Sequence, residues 1–148
     1  MISPPLFIYG TLKSERVRVA VLGAEAEGLR LVDAQIKGYE VRAVHGAHYP
    51  MLHPQQGATT MGFVLEGVTQ AALALLDRFE GRHYQRHPVP GYIEDKPAEL
   101  QVYLPDDTIQ PSGPWSFEEW ERHHQDAFFQ RDFNPDGVTP PDNAHIRT

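Results

Sequence analysis

Glu80 is the residue in this 148-residue chain whose setting is least comfortable for its charge. It ends the run Thr69-Gln70-Ala71-Ala72-Leu73-Ala74-Leu75-Leu76-Asp77-Arg78-Phe79-Glu80, which Gly81 follows. At about 100° per helical residue, Glu80 falls angularly between Leu73 and Leu76, with Ala72 and Phe79 to one side. Asp77 lies near the edge of that stripe and Arg78 faces away from it. A helix that buries its leucines therefore aims a carboxylate along the same face, close to its carboxyl end. Burial disfavours the anion, and the negative end of the helix dipole does so too. Both raise the pKa of Glu80 toward the range where a carboxyl group can accept and return a proton near neutrality. The pattern equally allows Glu80 to swing outward and pair with Arg78, Arg82 or Arg86.

The stretch Leu6-Phe7-Ile8-Tyr9-Gly10-Thr11-Leu12-Lys13 is a second place where chemistry could reside. An apolar strand breaks at a glycine and passes into residues that suit neither a helix interior nor a tight hairpin. Glycine permits a close approach or an unusual φ, and successive backbone N–H groups beyond it can converge on one anionic point. The repeated glycines and Lys-Ser/Thr ending of a phosphate loop are missing.

Other chemistries are not supported. The chain has no cysteine, which excludes disulfides, thiolate nucleophiles and Cys-type metal sites and accords with a reducing, cytoplasmic location. No metal site is expected from the eight histidines: His45 and His48 flank a turn at Gly46, and the i, i+4 spacing of His83 and His87 counts only on a helix, whereas that segment reads as strand. His123 and His124 read as a solvated or partly packed helix face. No G-x-S-x-G elbow is present. A net charge of −7 argues against a nucleic-acid partner. Met1 to Pro5 carry no basic, apolar leader pattern, and no run is long and apolar enough to predict a membrane span.

The elements that must position Glu80 and the glycine break are mostly strands. Leu6–Tyr9, Leu29–Ile36, Tyr39–Val44, Met61–Leu65, Tyr84–Glu94 and Ala98–Leu104 are rich in β-branched and aromatic residues and are bounded by Gly, Pro or Asp. Arg42 to Met51 reads as strand, turn and short continuation. Pro88 and Pro90 predict an edge or bulged strand, because proline cannot donate to a ladder. Thr69 caps the Glu80 helix and Gly81 stops it. A second helix follows Ser116, with Glu119 at capping-box spacing, Trp115 and Trp120 placed as a hydrophobic staple, and a stripe of Phe117, Trp120, Ala127 and Phe128. The pattern predicts an α+β fold, its strands in a small closed or nearly closed barrel flanked by helices. One domain is expected over residues 1–133, with an irregular Pro- and Asp-rich tail over 134–148.

Taken in order, "FIYGTLK", "HYPML", "GFVLEGVTQAALALLDRFEG", "HYQRHPV" and "LQVYL" resemble the gamma-glutamylcyclotransferase-like family, which includes gamma-glutamylamine cyclotransferases. The match runs from about Leu6 to Leu104. The resemblance implies a small β-barrel with flanking helices and a pocket for a gamma-glutamyl substrate. It implies Glu80 as catalytic acid/base, Tyr9, Gly10, Thr11 and Leu12 as the substrate-binding loop, and Tyr103 as a pocket-lining residue. The expected products are 5-oxoproline and a free amine or amino acid, with no cofactor required. The chain departs from the family where Phe63, rather than an acidic residue, follows Gly62, and Ser14 to Glu27 resemble it only loosely. Two other readings share the same residues: a hydrolase in which Glu80 activates water, and a non-catalytic binding or regulatory domain that keeps the pocket.

Overall fold

The computed structural model describes residues 5–139, and the remainder of the predicted tail, 140–148, lies outside the described residues. Six strands carry the fold: β1 (Leu6–Ile8), β2 (Arg30–Val44), β3 (Pro50–Glu66), β4 (Tyr84–Ile93), β5 (Lys96–Pro105) and β6 (Pro111–Pro114). Their pairings return to the start. β1 lies antiparallel to β3, β3 to β2, β2 to β4 and β4 to β5, and β5 runs parallel to β1. β6 branches from the outer end of β2.

Side-chain alternation along these strands separates two cores. Phe7, Tyr9, Ile36, Val64, Leu100 and Val102 pack together on one face. Leu6, Ile8, Leu65 and Tyr103 point the other way and meet the helices. These are α1 (Glu15–Leu22), α2 (Gln70–Glu80), α3 (Phe117–His123) and a single turn, α4 (Gln125–Ala127), that widens into a π-turn at Phe128–Asp132.

Local chemistry explains the element ends. The Thr69 hydroxyl accepts from Ala72 N–H at 3.0 Å. At the far end of α2, Gly81 takes φ 84° and donates to the Asp77 carbonyl at 3.2 Å, a left-handed stop that glycine makes without strain. Ser116 caps α3 by accepting from Glu119 N–H, and the Trp115 and Trp120 rings lie 6.3 Å apart as a staple. The Trp120 indole is 1% exposed and donates to the His48 carbonyl at 2.6 Å.

Two features differ from the sequence expectation, and a third falls where the sequence reading assigns no element. Leu29–Ile36 and Tyr39–Val44 form one strand with an irregularity between Lys37 and Tyr39. β3 is much longer than Met61–Leu65, because its first half, which contains Pro54 and Gly57, pairs with the outer part of β2. Finally, α1 is a helix where the sequence alternates Val17, Val19 and Val21 in a strand-like way. Ser14 caps it, Val17 and Val21 are buried one turn apart, and Val19 is 52% exposed. Pro88 and Pro90 fall in the part of β4 that pairs only with β5, so their missing donors break no second ladder.

Close approach fixes where β1 meets β3. A Cβ on Gly62 would collide with the Ile8 carbonyl and come within 2.8 Å of the Phe7 ring, whereas one on Gly113 would meet nothing within 4 Å. Gly62→Ala should therefore destabilise the chain by about 1–3 kcal/mol, and Gly113→Ala should stay within about 0.5 kcal/mol of the parent. Urea unfolding midpoints of the two variants check this.

Candidate active site

β1 ends at Ile8, and at Gly10 the chain passes close to Pro50. A Cβ on Gly10 would sit 2.8 Å from Pro50 Cγ, so only glycine lets the two segments come this close. A 3₁₀ turn, Thr11–Lys13, follows at once, closed by Lys13 N–H to the Gly10 carbonyl at 3.0 Å and by Ser14 N–H to the Thr11 carbonyl at 2.9 Å. The first N–H groups of a helical turn have no partner inside it. Tyr9, Gly10, Thr11 and Leu12 all line a hollow at this end of the strand ring.

Glu80, in the last turn of α2, lines the same hollow, and so does Tyr103 from β5. The structure thus brings all six site residues expected from the sequence to one place. It also brings in residues that the sequence reading does not assign to the site: Tyr49 before β3, Tyr84 at the start of β4, Phe128 in the π-turn and Val138 beyond it.

The Glu80 side chain keeps some accessible surface because it faces the hollow, but protein atoms crowd it on the other sides. Burial, seconded by the charge of Asp77 one turn earlier, pushes its pKa up to about 8. Among the described residues, no side chain hydrogen-bonds or ion-pairs with its carboxylate. Two of the three arginines near it are placed otherwise, and the third, Arg82, makes no ion pair among the described residues. Arg86 grips Asp77, with Nε to Oδ1 at 2.7 Å and Nη2 to Oδ2 at 3.0 Å, and Arg78 sits 3.6 Å from Asp136.

Four phenols surround Glu80. Burial first, with the charge of Glu80 as a further cause, raises the pKa of Tyr9, Tyr49, Tyr84 and Tyr103 above the usual tyrosine value. All four therefore stay protonated and able to donate. Tyr9 donates a long bond to the Tyr103 carbonyl at 3.4 Å, Tyr103 donates to Asp77 Oδ1 at 2.7 Å, and Tyr49 donates to the Thr139 carbonyl at 2.8 Å. Tyr84 is 7% exposed, and its hydroxyl is buried without a hydrogen-bond partner. An orphan donor of that kind costs free energy unless something else fills the gap.

Residues 134–139 close one side of the hollow. A turn joins Gly137 N–H to the Asn134 carbonyl at 3.0 Å, and Val138 N–H then donates to the Phe79 carbonyl at 2.7 Å. Thr139 N–H donates to the Asp132 carbonyl at 2.8 Å. The Asp132 carboxylate in turn accepts from His48 N–H at 2.7 Å and lies 3.0 Å from His48 Nδ1. A second cleft adjoins the first and shares Tyr49, Glu80, Tyr84 and Val138 with it, adding Arg82, His83 and Asp136. His83 is held by Asp106, Nδ1 to Oδ2 at 2.9 Å. Among the described residues, no group of three or more His, Asp or Glu side chains is arranged to hold a metal ion, and no helix is long and apolar enough to cross a membrane.

Comparison with known proteins accords with this architecture. The profile of the family described as gamma-glutamyl cyclotransferase, AIG2-like, matches residues 6–122. Protein AIG2 B of Arabidopsis thaliana is 31% identical over 147 residues, which span 92% of this chain and 85% of that one. AIG2-like protein C of the same plant is 32% identical over 127 residues, covering 83% and 72%. The solution structure of an Arabidopsis thaliana protein superposes with a TM-score of 0.65 at 30% identity, covering 86% of each chain. A solved gamma-glutamyl cyclotransferase superposes at 0.55 with 12% identity, over 94% of this chain and 89% of that one, a likeness of fold. The chain belongs to the gamma-glutamyl cyclotransferase, AIG2-like family.

Proposed function

We propose that this chain cyclises gamma-glutamyl amides, releasing 5-oxoproline and a free amine or amino acid, with Glu80 as the acid/base. The observation that carries this reading is the convergence of Glu80, the Tyr9–Leu12 turn and Tyr103 on one hollow. Such a substrate contains its own nucleophile. The α-amino nitrogen attacks the γ-carbonyl carbon, a five-membered ring closes, and the original amide C–N bond breaks as its nitrogen takes up a proton. What a protein must supply is a folded substrate conformer and a proton carrier.

Glu80 suits the second task. Near neutrality the substrate amine is mostly ammonium and cannot attack. An incoming ammonium favours the carboxylate form of Glu80, which then takes the proton and later gives one to the departing nitrogen. The amides of Gly10 to Leu12 bind the substrate α-carboxylate or stabilise the oxygen charge that develops at the carbonyl. Neutral phenols donate hydrogen bonds to the same groups without adding charge.

Glu80→Gln keeps the shape and removes the proton carrier. It should lower kcat for 5-oxoproline formation from gamma-glutamyl amides by about 10²–10⁴ with little change in KM; near-parental turnover would remove Glu80 from the mechanism. Release of free glutamate instead of 5-oxoproline would identify a hydrolase, and no turnover with retained binding would identify a silent binder.

In the parent, kcat/KM should rise with pH and bend near 8, where the Glu80 carboxylate becomes the main form. The same group sets a stability profile. The folded chain holds this proton up to about pH 8, while the unfolded chain releases it near the ordinary value of 4.5. Glu80 therefore makes stability fall between those two pH values, with a slope of at most about 1.4 kcal/mol per pH unit. Denaturant titrations should show this decline in the parent and its loss in Glu80→Gln.

A further inference from the structure

Glu80, Tyr84, Tyr49 and Val138 are shared walls of the two adjoining clefts. If the first cleft holds the glutamyl group, as proposed above, the scissile amide sits at this shared wall, where Glu80 can reach its nitrogen. The remainder of the substrate must then extend into the second cleft. From the two clefts we infer that the second is a leaving-group subsite that selects leaving groups bearing a carboxylate, with Arg82 as its charge-reading residue and Val138 as its inner wall.

Three observations converge on this subsite. The first is Tyr84, which lines both clefts and whose buried hydroxyl has no hydrogen-bond partner, leaving a donor unspent between them. The second is the strap of residues 134–139. It follows the 6–122 span shared with the family and is fastened by the Val138–Phe79, Thr139–Asp132 and Tyr49–Thr139 bonds, so this wall is built into the chain's own fold. The third is charge. Of the charged groups lining the second cleft besides Glu80, which burial holds mostly protonated up to about pH 8, His83 is held by Asp106 and Asp136 lies opposite Arg78, whereas Arg82 makes no ion pair among the described residues. Arg82 is thus a cation left free in the lining of the cleft, and a guanidinium matches a carboxylate. An amino-acid leaving group supplies one; a simple amine does not, and a diamine would bring a repelling charge.

The test uses the full chain carrying Glu80→Gln, so that ligands bind without turnover, and two probes that differ only at the far end: gamma-glutamyl-alanine and gamma-glutamyl-alaninamide. Calorimetric titration should show the free acid bound about fivefold more tightly than the amide, the scale of one exposed charge pair. Adding Arg82→Glu should abolish or invert that ratio. Equal affinities, a ratio indifferent to Arg82→Glu, or no binding of either probe would overturn the subsite. The proposed reaction is judged separately, by 5-oxoproline from the unsubstituted chain. Product formed with a ratio indifferent to Arg82 leaves the reaction standing and the subsite wrong, while an intact ratio without product leaves the subsite standing and the reaction wrong.

Discussion

A carboxyl group at the carboxyl end of a helix, on the face that the helix buries, is opposed by its surroundings in two ways. Protein atoms replace the water that would solvate the anion, and the terminal carbonyls of the helix repel it. In this chain the charge of Asp77 adds a third opposing effect, and Arg86 and Arg78 are placed with Asp77 and Asp136. Glu80 is held inward, because Leu76 and Phe79 beside it on the helix are buried in the core and Gly81 ends the helix at once. The same packing that stabilises α2 therefore holds the carboxyl group in the hollow. The stability forgone at that position is what gives the group a pKa useful for moving protons.

The rest of the fold arranges the opposite wall. Alternation along β1 sends Phe7 and Tyr9 to one core and Leu6 and Ile8 to the other, so the short strand is pinned on both faces before Gly10 releases it. Pro50, from the start of β3, presses against that glycine. Tyr103 is tied to α2 through Asp77, which Arg86 of β4 also holds, and Gln101 of β5 accepts from the same guanidinium. This network couples three elements around the carboxyl group, so the distance between Glu80 and the 3₁₀ turn is set by strand pairing and not by loops. Preorganisation of this kind is what an intramolecular cyclisation asks of a protein.

The candidate site was legible where one element contained its own logic. Leu73, Leu76 and Phe79 define the buried face of α2 within a single helix, which is enough to phase Glu80. The Tyr-Gly-Thr-Leu break announces itself by interrupting an apolar strand. Tyr49, Tyr84 and Val138 gave no such signal. They come from three distant segments and meet only through the turn before β3, the exit from α2 and the return of residues 134–139 over the helix end. Two elements were obscured for physical reasons. The alternating valines of α1 mimic a strand, yet Ser14 capping and burial of Val17 and Val21 decide for helix. The polar, proline- and glycine-containing first half of β3 lacks a strand pattern, and its long partner β2 supplies the order.

The account rests on the protonation state of one side chain. Following the Glu80 carboxyl carbon by ¹³C NMR in the unliganded chain, assigned by its loss in Glu80→Gln, measures that state directly. The account predicts a titration centred near pH 8. A midpoint near 4.5, the ordinary value for a solvated glutamate, would contradict it.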